Sequence, residues 1–303
     1  MQGRAQSSCG GRAGESDSGA RMTTTAFALL DNGSLKPAAT LALRRTAAAL
    51  AERVGRTVAP VSLLHSGKIP AEELGGVAAE TFGPWAKRCA AAGARELVVV
   101  PYFLGPSRAL TEYLPERAAK LRETWPELVV RVAPALGEGG ADAIDHLAGV
   151  LEERTRAELA RRPVGAERAA VAVVDHGSPE PKVTAVRDAV AARLRERLGA
   201  AVRAVAPCSM ERREGAEYAF ADPLLAALLA REPFARGEVI AAMLFLSPGR
   251  HAGPEGDVAQ ICRAAEATRP GLRVTMTELL GGHPVLIELL AERLDQGLGA
   301  TPL

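Results

Sequence analysis

Residues Val171–Pro181 read Val-Ala-Val-Val-Asp-His-Gly-Ser-Pro-Glu-Pro. Four apolar residues, mostly β-branched, run into Asp175, His176, Gly177 and Ser178. A short apolar run of this kind is the signature of a parallel strand buried on both faces. The Asp-His-Gly-Ser therefore falls at the strand's carboxyl end. From Val183 to Leu198 the apolar residues Val183, Val186, Val190 and Leu194 recur at helical spacing. In open α/β sheets ligands bind beyond the carboxyl ends of the strands, so His176 stands where a ligand would be met. An isolated histidine in such a turn is ordinarily satisfied by backbone groups; the rest of the chain decides whether this one is isolated.

Working outward, the second half alternates strands and helices. Ala169–Val174, Ala201–Cys208, Gly237–Leu246 and Leu272–Glu278 are expected strands. Val183–Leu198, Asp222–Arg231, Asp257–Ala267 and Pro284–Gln296 are expected helices. The first half has the same order. Thr25–Leu30, Thr57–Leu64, Glu96–Leu104 and Leu128–Ala133 read as strands, and Ala38–Val54, Ala71–Ala92, Leu110–Thr124 and Ala141–Arg161 as helices. Three landmarks align at a nearly constant offset: Asp31-Asn32-Gly33-Ser34 with Asp175-His176-Gly177-Ser178, Tyr102–Arg108 with Leu244–Arg250, and Leu136-Gly137 with Leu280-Gly281. The chain reads as a tandem duplication: an α/β protein of two similar lobes, each a mainly parallel sheet with helices on both faces. The expected division is a disordered leader over 1–23, a first lobe over 24–161 and a second over 168–296.

Composition bounds the function. Lys and Arg number 37 against 36 Asp and Glu, a balance that gives no signal for nucleic acid or an anionic membrane. No apolar run reaches the roughly 18 residues of a membrane span. Cys9, Cys89, Cys208 and Cys262 form no Cys-x-x-Cys, which supports neither a zinc ribbon nor a cysteine-held cluster, and a reducing cytoplasm is the default. The leader lacks the apolar stretch of a secretory signal, and Glu15 and Asp17 count against a transit peptide. Met22, just before the first strand run, is an alternative start.

The duplication sharpens the site by contrast. In the second half His176, Glu211 and His251 follow three successive strands, all near carboxyl ends that face one crevice. At the matching positions of the first half the reading finds Asn32, His65 and Ala109. An amide takes up no proton and a methyl group binds nothing, so one half reads as competent and the other as retained scaffold. Two imidazoles and a carboxylate suit a borderline divalent ion such as Fe²⁺, Co²⁺ or Ni²⁺, and the same groups accept protons near neutral pH. A serine hydrolase built on Ser178 is a poor reading, because no Gly-x-Ser-x-Gly elbow surrounds it and His176 precedes it in the same turn. His146 is read as a helix-surface residue and His283, before Pro284, as a helix-start residue.

These residues carry a family resemblance. His176-Gly177-Ser178, Glu211, the run Phe245-Leu-Ser-Pro-Gly-Arg-His251 and Leu280-Gly-Gly-His-Pro284 resemble the class II chelatases of tetrapyrrole synthesis. The specific likeness is to the sirohydrochlorin cobalto-/ferrochelatase family in its long, duplicated form, over about Thr24 to Leu294. The resemblance implies two clefted α/β lobes and ATP-independent insertion of Co²⁺ or Fe²⁺ into sirohydrochlorin, in cobalamin or siroheme synthesis. The metal would be a substrate, with no permanently bound cofactor. His176, His251 and Glu211 would hold the metal and move protons. Arg250, Arg212 and Ser178 would meet the tetrapyrrole, arginine forks being matched to its carboxylates. The expected state is a monomer or weak homodimer, since duplication already supplies both sides of the cleft. A different class of function, a carrier that binds metal or tetrapyrrole without turnover, uses the same side chains. Many long forms keep the histidine pair in the first half, whereas this chain has it in the second. The loop after His251 reads Ala-Gly-Pro-Glu-Gly-Asp257 in place of the family's run to Asp-Ile-Pro.

Overall fold

A computed structural model describes residues 24–303; the segment read as a leader lies outside the described residues. The first half contains β1 (Thr24–Asp31), α1 (Pro37–Val54), β2 (Val58–Ser62), β3 (Glu80–Thr81), α2 (Phe82–Ala91), β4 (Ala94–Pro101), α3 (Leu114–Arg122), β5 (Val129–Val132) and α4 (Ala141–Ala160). The second contains β6 (Ala170–Asp175), α5 (Pro181–Leu198), β7 (Ala204–Ser209), α6 (Leu225–Leu228), β8 (Gly237–Met243), α7 (Asp257–Thr268), β9 (Leu272–Met276) and α8 (Pro284–Leu298). Two separate parallel sheets result, with strand orders β3-β2-β1-β4-β5 and β7-β6-β8-β9. In the first sheet β1 lies between β2 and β4, and in the second β6 lies between β7 and β8, so the turns that follow these strands meet at one end.

Side chains alternate across each sheet with the strand period of two. Leu29, Val100, Val171 and Val173 point into a central core shared with Leu43 and Leu50 of α1, Leu147 and Leu151 of α4, Val190 and Leu194 of α5, and Leu290 and Leu294 of α8. Leu30 and Val99 turn the other way, onto Trp85 and Leu114. Ala172 and Val174 turn onto Met210, Phe234 and Val258. Every residue of β6 is buried, which is why it reads as an uninterrupted apolar run.

The helix that closes each half crosses to the other. The terminal helix α8 packs on β4, β5 and α1, while α4 packs on α5 and β8. At Gly297 the approach of α8 to the first sheet is so close that a Cβ would lie 3.0 Å from the Ala133 methyl and 3.1 Å from Val98. Arg293 of α8, itself buried, donates to the carbonyls of Ala135, Leu136 and Glu138 in the loop after β5. The two sequence repeats are thus interlocked as packing units.

Two expected helices are shorter than their patterns. The stretch Ala71–Ala92 breaks into a 3₁₀ turn at Ala71–Leu74, the short β3 and α2, because Gly75 and Gly76 both take positive φ. The stretch Asp222–Arg231 retains only α6, preceded by a 3₁₀ turn at Ala216–Ala221; Pro223 at its start cannot supply an amide N–H. No helix among the described residues is long and apolar enough to cross a membrane.

Candidate active site

The turns after β1, β4, β6 and β8 wall a cleft of about 650 Å³ between the two halves. Asp31–Ser34, Tyr102–Gly105 and Ser107–Ala109 line it from one half; Asp175–Ser178, Arg213 and Leu244–His251 line it from the other. Two glycines make the turns tight. Gly33 and Gly177 have φ of 86° and 92°, and a Cβ there would lie 1.7 Å from the Leu64 carbonyl oxygen and 1.9 Å from that of Glu211. The matching contacts, with Leu64 N–H bonded to Asn32 O and Glu211 N–H to His176 O, fix the true pairing of the halves. Leu64, and not His65, is the counterpart of Glu211; the sequence pairing was one residue out. His65 is exposed, has a φ of 63°, and is absent from the cleft wall.

His176 and His251 come together, their ring centroids 4.6 Å apart and edge to face at 64°. His176 Nδ1 lies 2.9 Å from Gly177 O, and His251 Nδ1 lies 2.6 Å from Asp257 Oδ2. Those partners are acceptors, so each Nδ1 is placed to donate, and a neutral ring in that tautomer has its lone pair on Nε2. Glu211 Oε1 is 3.4 Å from His176 Nε2, with its side chain 60% exposed. Among the described residues no three His, Cys, Asp or Glu side chains converge as a preformed metal set. His176, His251 and Glu211 therefore form an imidazole pair with a carboxylate at its rim, because Glu211 stands out in solvent beside only one of the rings. Asp257 is the site residue that sequence reading missed. It opens α7, six residues after His251, and the only signal for it was an acidic residue in a helix's first turn.

The arginines divide differently from expectation. Arg250 lines the cleft, 76% exposed, with Nε 3.7 Å from Asp257. Arg213 and Arg108 line it too. Arg212 does not: its guanidinium is held by Asp222 at 3.0 Å and by the carbonyls of Arg213 and Gly215, so it locks its own loop. Ser178 lines the cleft, with Oγ accepting from Glu180 N–H at 3.1 Å to shape the entry into α5. His283 caps α8, accepting from Val285 N–H and meeting Glu153 at 3.0 Å.

Beneath the paired turns the halves differ. Asp175, buried, accepts from Ser209 Oγ at 2.7 Å, and Ser209 accepts from the fully buried Arg187 at 2.6 Å. Burial raises the Asp175 carboxyl, and the Ser209 hydroxyl and Arg187 charge oppose that rise. Arg187 is the seventh residue of α5; the seventh residue of α1 is Leu43. Asp31 consequently has no cation behind it. Its Oδ1 is buried without a hydrogen-bond partner, and burial pushes the carboxyl up to about 6.

Comparison with known proteins follows the same duplication. The CbiX family model matches twice, over residues 26–157 and 170–297. The chain belongs to the CbiX family. No curated protein matches it. Among solved structures, this CbiX-family chain is similar to SirB from Bacillus subtilis with Fe³⁺, at a TM-score of 0.64 and 16% identity, covering 90% of this chain and 95% of that one. It is similar to the sirohydrochlorin chelatase SirB of Bacillus subtilis subspecies spizizenii in complex with cobalt, at 0.59 and 18%, covering 90% and 94%. A multi-domain Deinococcus radiodurans protein with structural similarity to chelatases matches at 0.54 and 18%, covering 91% of this chain and 55% of that one. At these identities the likeness establishes the fold: two parallel-sheet lobes of chelatase type.

Proposed function

We propose that this protein is a sirohydrochlorin chelatase, inserting Co²⁺ or Fe²⁺ into a sirohydrochlorin-type tetrapyrrole without ATP, in cobalamin or siroheme synthesis in the cytoplasm. The observation that carries the reading is the imidazole pair. His176 and His251 lie 4.6 Å apart in the cleft, each with Nδ1 tied and Nε2 available. Neutral imidazole is a good ligand for either ion, and an imidazole that is not holding metal accepts a pyrrole proton. Glu211 adds negative charge beside His176 and favours arrival of a cation. Arg108, Arg213 and Arg250 offer fixed positive charge to the carboxylates of a tetrapyrrole, and Ser178 contributes a hydroxyl at the same wall. Membership in the CbiX family and the fold shared with SirB support the same reading. The metal enters as a substrate.

The test is turnover. Sirohydrochlorin and Co²⁺ or Fe²⁺ are mixed with catalytic amounts of protein and the metallated product is followed by absorbance. The expected result is many equivalents of product per protein. Product that stops at one equivalent identifies a carrier and overturns the enzymatic reading.

A further inference from the structure

Inserting a divalent ion into a free-base macrocycle brings one metal in and sends two protons out. Each imidazole here donates Nδ1–H, to Gly177 O and to Asp257, so each has one lone pair to give. If one Nε2 holds the metal, the other takes a single proton and the second proton lacks an acceptor. Glu211 stands at the rim, 60% exposed, and is not part of the cleft wall. The one carboxyl that the first half places in that wall is Asp31. It is 9% exposed, its Oδ1 is without a partner, and the Ser107 and Ser247 hydroxyl oxygens of the same wall are also buried without partners. A buried carboxylate oxygen with no donor is costly, and in a cleft wall the Asp31 Oδ1 is suited to a ligand that brings N–H groups.

Building on the chelatase reading, we propose that Asp31 is the second proton acceptor, a catalytic residue supplied by the half that places no histidine in the cleft wall. A pyrrole N–H bond breaks, its electron pair stays on nitrogen and binds the metal, and an O–H bond forms on the Asp31 carboxylate. The other pyrrole proton goes to a histidine Nε2. Both protons then leave through the open cleft, so two positive charges depart for the two that entered. The burial that pushes Asp31 up to about 6 suits a group that must take a proton and return it near neutral pH. The first half is then more than scaffold: Asn32 has lost the imidazole, but the residue before it does chemistry.

The experiment compares the full-length wild type with Asp31→Asn, Asp31→Ser and Glu211→Gln, using sirohydrochlorin and Co²⁺. Initial rates are measured across pH, and metal-free sirohydrochlorin binding is measured by fluorescence. Both Asp31 variants should lose about 10²-fold or more in rate, keep sirohydrochlorin affinity within about threefold, and lose the rise in rate around pH 6; Glu211→Gln should lose less. Serine at 31 guards against an effect peculiar to asparagine. Asp31 variants at near wild-type rates with unchanged pH profiles would overturn the assignment while leaving the chelatase standing. A wild type that fails to turn over would instead sink the chelatase reading, and this assignment with it.

Discussion

His251 donates its Nδ1–H to Asp257 at 2.6 Å, from the loop after β8 to the first residue of α7. That bond fixes both the ring's orientation and its tautomer, leaving Nε2 for the cleft. Carboxylates that hold a metal-binding imidazole in this way typically matter by about 10–100-fold in metal affinity. Asp257→Ala should weaken Co²⁺ binding by about that factor, as measured by calorimetry. Asp257→Asn, which can still accept through its amide oxygen, should lose less. Equal losses would mean that charge rather than ring orientation is what Asp257 supplies.

His176 and Asn32 occupy the same turn in the two halves, so substitution there separates imidazole chemistry from turn structure. His176→Ala removes a lone pair that serves as ligand or base, and the rate should fall by about 10²–10⁴-fold. Asn32→Ala removes at most a hydrogen bond, about 0.5–1.5 kcal/mol, and the rate should stay within an order of magnitude. His251→Ala recreates the Ala109 state and should match His176→Ala. Initial rates under saturating sirohydrochlorin decide the matter. Equal damage at positions 32 and 176 would require both turns to act on substrate.

Much of this arrangement was legible in the chain itself. The run Val171–Val174 reads as a strand because both faces of β6 are covered, and the turn motifs repeat because the same tight backbone passage is made at Gly33 and Gly177. What could not be read was spatial. A repeat does not reveal which sheet its last helix lies on, so the crossing of α4 and α8 was invisible. The Leu64–Glu211 pairing depends on backbone bonds to Asn32 and His176, which no residue pattern marks, whereas His65 is the chemically conspicuous neighbour. The choice between Arg212 and Arg213 rests on Asp222, a partner ten residues away that no local pattern names. Asp31, at the head of a repeated turn, and Asp257, in the loop after His251, carry no chemical role in the sequence pattern; each matters through its surroundings.

Arg187 sits fully buried behind the His176 turn, donating to Ser209 and to Ala221 O at 2.9 Å, with Nη1 3.9 Å from Asp175. Removing one partner of a buried charge pair strands the other, at about 3–5 kcal/mol. Arg187→Leu, which places in α5 the residue α1 has at the same point, should therefore lower stability by roughly that much in urea unfolding. Adding Asp175→Asn should recover most of the loss, since the stranded charge disappears. A double variant no more stable than the single one would show that Arg187 acts through packing and its Ala221 bond.

Asp31 gives stability a pH dependence whose sign is fixed by its burial. Its carboxyl rises from 3.8 to about 6 on folding, so between those values the folded chain holds a proton that the unfolded chain has released. Its contribution is fully present well below pH 3.8, falls steadily between there and pH 6, and is gone above that. At about 1.4 kcal/mol per pKa unit, the loss is about 3 kcal/mol at pH 8. Asp31→Asn removes the titration, so the variant should gain on wild type as pH rises from 4 to 7, with most of the gain made by pH 6. Urea unfolding at a series of pH values reads this directly. A difference between the two proteins that does not change over that range would mean that the Asp31 carboxyl titrates alike in the folded and unfolded chain.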